Sequence, residues 1–171
     1  MRNRSLVRFR RPFENGVVDG YVVAVGRDLF LIALISDQIR FNGFQAFRVV
    51  DVRDLRSHPF ATFMESALKK RHEPKPRKPK VSVRSLRALL LSATKLFPLV
   101  TIHRERVDAD VCHIGRLVSV GEKTLAILEI GPGAVWDKFP TRYALTQVTR
   151  VDFGGDYEDA LHMVGGDPPA G

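Results

Sequence analysis

Residues 20–35 read GYVVAVGRDLFLIALI, and residues 115–130 read GRLVSVGEKTLAILEI. At a constant offset, Gly20 falls on Gly115, Val25 and Gly26 on Val120 and Gly121, Ile32 on Ile127, and Ile35 on Ile130. After a loop of slightly different length, Phe47, Val49 and Val52 answer Tyr143, Leu145 and Val148. Further on, Glu65, Ala67 and Leu68 answer Glu158, Ala160 and Leu161. Self-similarity held in register over such distances marks a duplicated structural unit. Each copy is short, and a domain of about 60 residues buries only about 60% of the surface its unfolded chain exposes. The copies are therefore expected to pack together or to dimerise.

Outward from these stretches, the chain reads as short strands and a few helices. Residues 6–11, LVRFRR, alternate apolar and basic side chains at a period of two, as an edge or half-exposed strand does. Asn15-Gly16 supplies a turn, and Gly26-Arg27-Asp28 a tight loop. Leu29 to Ile35 is a continuous apolar run whose length and β-branched content suit a buried strand. Phe41-Asn42-Gly43-Phe44 predicts a hairpin or a sharp bend. Ser57-His58-Pro59 then opens a helix, with a capping residue and an early proline. Its apolar stripe is Phe60, Phe63, Met64, Ala67 and Leu68. Ser82 or Ser85 caps a second helix that runs to Pro98, and Leu99 to Glu105 alternates as a strand. The second copy departs most from the first in Gly131 to Pro140. Asp156 with Asp159 predicts a capping box for a final short helix.

The formal charge of +8 is unevenly placed. Lys69 to Lys80, KKRHEPKPRKPK, holds seven basic residues and one acid, or +6, and Met1 to Arg11 holds five arginines, or +5; taking both from +8 leaves −3 for the rest. The repeated units are not basic, whereas the N-terminal arm and the linker are. Lysines and arginines on a proline-rich, extended backbone can follow a line of phosphates. A solvated tether between the copies has the same composition. No apolar stretch reaches the roughly 20 residues of a spanning helix, and no signal-peptide pattern follows the basic N-terminus. The single cysteine, Cys112, makes no internal disulfide, which predicts a cytoplasmic protein.

The succession of glycine, apolar residues, tight loop and apolar strand in both copies resembles the first motif of the Sm/Hfq-like family of small SH3-like barrels. Residues 82–97 sit where that family places its N-terminal helix. The chain is also similar to uncharacterised bacterial proteins with two such barrels. The resemblance implies five-stranded barrels. The loop aspartate and following asparagine that hold RNA bases in that family fall here on Gly26 and Phe30, and on Gly121 and Leu125. The family's Arg-Gly is absent near Val52 and Val148, so a ring-type uridine pocket is not expected.

Catalytic chemistry finds little support in the residues. There is no GxSxG, phosphate loop or GxGxxG, and the proline in Gly131-Pro132-Gly133 removes an amide that a phosphate cradle needs. His103, Cys112 and His113 are the sole metal-like cluster, but adjacent residues of a strand point to opposite faces. Cys112 aligns with Val17, which predicts a small buried hydrophobe. The acids Asp152, Asp156, Glu158 and Asp159 read as helix-start charges.

The expectation is a mainly β protein with a few helices: two tandem five-stranded Sm-like barrels joined by a basic linker and a helix. Residues 1–68 form the first barrel with its helix, 69–81 the linker, 82–164 a helix with the second barrel and a short helix, and 165–171 a flexible tail. The functional expectation is a non-enzymatic binding or scaffold protein without cofactor, metal, membrane or small-molecule substrate. Nucleic acid, RNA or DNA, would meet Lys69, Lys70, Arg71, Lys75, Arg77, Lys78 and Lys80. A protein partner, self-association or the contact between barrels would use Phe41, Phe44, Trp136 and Phe139. The alternative is an RNA-binding regulator that relies on the linker and the N-terminal arginines.

Overall fold

The computed structural model describes residues 5–169; Arg2 and Arg4 of the basic arm lie outside them. Within the first copy run β1 (Leu6–Arg10), β2 (Val18–Val25), β3 (Leu29–Ile35), β4 (Phe41–Arg48), β5 (Arg53–Ser57) and α1 (Ala61–Lys70). A linker and α2 (Leu86–Ala93) lead into the second copy: β6 (Val100–His103), β7 (Cys112–Val120), β8 (Thr124–Glu129), β9 (Thr141–Ala144), β10 (Arg150–Phe153) and α3 (Asp156–Gly165). A single 3₁₀ turn precedes β5 and another precedes β10.

The correspondence between the two halves extends to the backbone details. The β2–β3 ladder slips between Val22 and Ala24, and the β7–β8 ladder slips at the counterparts Leu117 and Ser119. Gly26 N donates to Leu29 O at 2.8 Å, and Gly121 N to Thr124 O at 2.8 Å. Both motif glycines allow a close strand approach: a Cβ at Gly20 would meet Ala33 O at 2.7 Å, and one at Gly115 would meet Leu128 O at 2.1 Å. Even a cation–π contact recurs, with Arg11 4.6 Å from the Phe47 ring and Arg104 4.6 Å from the Tyr143 ring.

The two units do not close into separate barrels. All ten strands belong to one antiparallel sheet, in the order β5-β1-β2-β3-β4-β10-β6-β7-β8-β9. Each copy keeps the same internal order. The free side of β4 pairs with β10 of the other copy rather than with its own β5, matching Phe44 to Phe153, Gln45 to Asp152, Ala46 to Val151 and Phe47 to Arg150. Two unpaired edges satisfied each other across the copies, and this removed the need for either unit to close on itself.

Side chains at this seam explain the choice. Phe44 stacks on Phe153 with ring centroids 5.7 Å apart, and Phe97 lies 5.0 Å from Phe153. Gly43, at φ +72°, leaves no room for a Cβ, which would stand 2.6 Å from Gly155 N. The Asn42-Gly43 pair therefore serves the seam inside β4 instead of making a hairpin. The reversal falls at Ser36 to Arg40, where Ser36 N donates to Arg40 O at 2.9 Å. Asn42 Oδ1 accepts from Asp156 N at 2.8 Å, so a residue of the first copy holds the start of α3, and the expected Asp156–Asp159 capping box does not form.

Two large cores result. One gathers Leu29, Leu31 and Ala33 from the first copy, Leu125, Ile127 and Tyr143 from the second, and Leu86, Leu89, Leu90 and Ala93 from α2. The other holds Phe9, Phe30, Phe47, Val22 and Ile32 of the first copy alone. Alternate residues of β3 thus enter different cores, which is why that strand is apolar throughout. Ser85 caps α2 by accepting from Ala88 N at 3.1 Å. Ser57 does not cap α1; it ends β5, and His58 Nδ1 accepts from Phe60 N at 3.1 Å. The stretch 6–10 is not an edge either, because β1 lies between β5 and β2. No helix among the described residues is long and apolar enough to cross a membrane.

Candidate functional site

The basic linker is held against the sheet at both ends. At its start, Lys69 and Lys70 occupy the last turn of α1, where positive charge suits the helix dipole, and Glu73 N donates to Leu68 O at 3.0 Å. At its finish, Val81 and Val83 are buried in the large core. Val83 O lies so near Gly26 that a Cβ there would stand 2.2 Å from it. Between these anchors the chain has no helix or strand, as its three prolines require. It is a strap along the molecule, not a tether that keeps two bodies apart.

All seven candidate cations of the strap are exposed. Arg71 donates to Gln38 O, and Lys75 Nζ stands 3.1 Å from Glu65 Oε1. The side chains of Lys69, Lys70, Arg77, Lys78 and Lys80 have no hydrogen bond or ion pair among the described residues, and neither do those of Arg84 and Arg87, which extend the line towards α2. Unneutralised cations on an extended backbone attract phosphates and release the counterions condensed there.

Beneath the first half of the strap is a cavity of about 480 Å³, lined among others by Tyr21, Phe41, Glu65, Lys69, Glu73 and Lys75. Tyr21 OH donates to Glu65 Oε1 at 3.0 Å, and Lys75 lies 5.7 Å from the Tyr21 ring. Lys75 holds the Glu65 carboxyl below its ordinary range, against the raising effect of partial burial, with a smaller contribution from Tyr21. Burial, together with the Glu65 carboxylate, pushes the Tyr21 hydroxyl well up. The linker sequence contains no aromatic side chain; folding supplies two from β2 and β4.

The N-terminal arginines are mostly engaged. Arg8 pairs with Asp19 at 2.7 Å. Arg11 is buried, with Glu14 at 2.7 Å and Glu105 at 2.5 Å. Burial opposes the charge of Glu105, yet Arg11, Thr149 and Arg150 hold its carboxyl below the usual range. Arg150 also contacts Glu14 at 2.8 Å, so this network ties the copies together. Among the described arginines of that arm, only Arg10 is exposed without an ion pair.

The aromatic candidates separate. Phe41 is half-buried at the strap cavity, with its ring 5.8 Å from that of Tyr21. Phe44 is half-buried in the seam. Trp136 packs with Leu99, Ile130 and Leu161, and its Nε1 donates to Gly165 O at 3.3 Å. Phe139 is 78% exposed.

A second cavity, of about 220 Å³, lies at the seam and is lined in part by Gln45, Thr101, His103, Cys112, Asp152 and Glu158. His103 and Cys112 are cross-strand partners, and His103 Nε2 lies 3.1 Å from Asp152 Oδ2. Cys112 is exposed at the start of β7, not the buried hydrophobe its alignment with Val17 predicted, because the β6–β7 pairing ends there. Partial desolvation of the thiol and then the Asp152 charge push the Cys112 pKa up, which opposes the thiolate that a nucleophile needs. His113 belongs elsewhere, 3.0 Å from Glu129 and 2.8 Å from Tyr143 OH. Among the described residues no group of three His, Cys, Asp or Glu is placed to hold a metal ion.

The chain matches no family model, no curated protein and no solved structure. Function therefore rests on the chemistry of its own surfaces, of which the strap carries the densest unpaired charge. Sequence reading located that charge. It missed Glu65 and Tyr21 as neighbours of the strap, since nothing in their local spacing links them to residues 69–80.

Proposed function

We propose that this is a non-catalytic, cytoplasmic binding protein that holds single-stranded RNA along the strap formed by residues 69–80. The observation that carries this reading is the line of exposed cations without partners, Lys69, Lys70, Arg77, Lys78 and Lys80, on a segment anchored at both ends. A pre-positioned strap loses less conformational entropy on binding than a free tail of the same composition. Phosphate contact of this kind is salt-dependent and weakly selective for sequence. In an electrophoretic shift with mixed RNA and DNA, the protein retards RNA at 50 mM salt and releases it at 200 mM. Replacing Lys75, Arg77, Lys78 and Lys80 by alanine removes about four phosphate contacts and lowers the salt slope by about 3. No retardation of any strand by the parent protein at low salt ends this proposal.

A second reading, a protein partner or self-association, is favoured by a different surface. Val135, Phe139, Met163 and Val164 are 71%, 78%, 82% and 77% exposed. The Trp136 bond to Gly165 brings the loop and the helix end that carry them side by side. Sedimentation velocity of the parent and of Phe139→Ser with Met163→Ser tests it: a concentration-dependent shift lost in the variant supports self-association, and identical profiles remove it.

A further inference from the structure

We propose that the cavity under the strap receives one guanine base of the strand whose phosphates the strap holds. The inference rests on the RNA-binding reading and names what that site selects. Three features of the cavity converge on this ligand.

The first is size and position. At about 480 Å³ the cavity falls within the roughly 300–1,000 Å³ of ordinary small-ligand pockets. Its rim includes Lys69 and Lys75, so a nucleotide with its base inside keeps its phosphates among the strap's cations.

The second is an aromatic wall. Phe41 is half-buried and lines the cavity, and its ring is braced at 5.8 Å by the buried Tyr21. Stacking of a base on a protein ring is worth about 1–3 kcal/mol and does not by itself choose among bases.

The third feature makes the choice. Glu65 and Glu73 both line the cavity. The Oε1 atom of Glu65 is taken by Tyr21 OH at 3.0 Å and Lys75 Nζ at 3.1 Å, and its Oε2 has no hydrogen-bond partner among the described residues. Lys75 keeps this carboxylate ionised, so it can only accept hydrogen bonds. Guanine alone among the four bases presents two adjacent donors, N1–H and the N2 amino group, on its Watson–Crick edge. Adenine and cytosine place a ring-nitrogen acceptor beside their amino group, and uracil flanks its single N–H with two carbonyl oxygens. The open Oε2, an acceptor with two lone pairs, can take both adjacent donors of guanine, whereas each of the other three bases sets an acceptor beside its donor and against the carboxylate. Glu73, 3.7 Å from Arg40, adds a second carboxylate to the lining.

The test compares fluorescein-labelled ten-nucleotide RNAs by anisotropy at one salt concentration, one all uridine and one with a single central guanosine. The parent protein binds the guanosine strand about tenfold more tightly. Glu65→Gln abolishes this preference, and Phe41→Ala lowers affinity for the guanosine strand about tenfold; neither changes binding of the uridine strand. Phe41→Leu keeps the apolar volume and gives the same loss, which separates stacking from a packing defect. Free guanosine monophosphate displaces the guanosine strand, and adenosine, cytidine and uridine monophosphates do not. Equal affinity for both strands, or equal displacement by all four monophosphates, overturns the guanine site and leaves strap binding intact. Failure to bind either strand overturns the RNA reading and this inference together.

Discussion

Strands β4 and β9 are counterparts in the repeat, and so are β10 and β5, yet only β4 and β10 are joined. The inner junction places Phe44 opposite Phe153 and is flanked by Gly43, Gly154 and Gly155, which let the backbones approach. At the outer edges the corresponding positions are Pro140 for Phe44 and Ser57 for Phe153. Arg56 stands where Asp152 does, and Asp54 adopts φ 49°, which bends that strand out of a flat template. Charge, proline and local distortion are how exposed sheet edges avoid pairing with other chains. One type of edge was thus made adhesive inside the chain and inert outside it. The two halves present matching edges, and the side chains along them decide which pair meets.

The comparison breaks most directly at Phe153. Phe153→Ala removes a fully buried ring from the seam and costs about 4 kcal/mol in urea unfolding; a loss below about 1 kcal/mol would show that the two halves stand without their junction. Glu105→Ala strips Arg11 of its main buried partner and costs about 3 kcal/mol. The pH dependence follows from the depressed carboxyl. Because the Glu105 pKa in the folded protein lies below the ordinary 4.5, its stabilisation is complete above that pH and fades as pH falls through the folded value. Urea midpoints at pH 7 and at about pH 3 therefore differ more for the parent than for Glu105→Gln, and equal differences would show that Glu105 does not couple folding to pH.

Smaller effects sharpen the contrast. Gly43→Ala places a Cβ against the Gly154–Gly155 backbone at a left-handed φ and costs about 2 kcal/mol, measurable by thermal melting. Arg56→Val with Asp54→Val gives the outer edge an apolar face and disfavours the left-handed backbone at position 54. The expected outcome is association that increases with protein concentration in light scattering, with little change in the melting midpoint. Phe139→Ser alters a side chain with no seam role and changes unfolding free energy by less than about 0.5 kcal/mol.

Much of this was legible in residues close together along the chain. The paired motifs Gly20 to Ile35 and Gly115 to Ile130 became matching hairpins, with bulges at equivalent positions. Leu29 to Ile35 became a strand buried on both faces, and Ser85 became a helix cap. The errors arose where partners are distant. Asn42-Gly43 has the composition of a turn, and only its neighbour Gly155 makes it a seam. Arg11 has the composition of a solvated arm, and only Glu105 makes it a buried anchor. Of the strap, the cations were legible, whereas the carboxylate and ring beneath them were not.

By itself, the sequence determined the repeated unit, its strands and helices, and the position of the excess positive charge. Those properties follow from local periodicity and side-chain chemistry, which need no knowledge of what lies opposite. Tertiary structure alone decided that the units share one sheet and that the basic segment is a strap over a pocket. A strand's unpaired backbone groups can be satisfied by any compatible edge. The choice depends on packing between residues such as Phe44 and Phe153, which lie far apart in the chain.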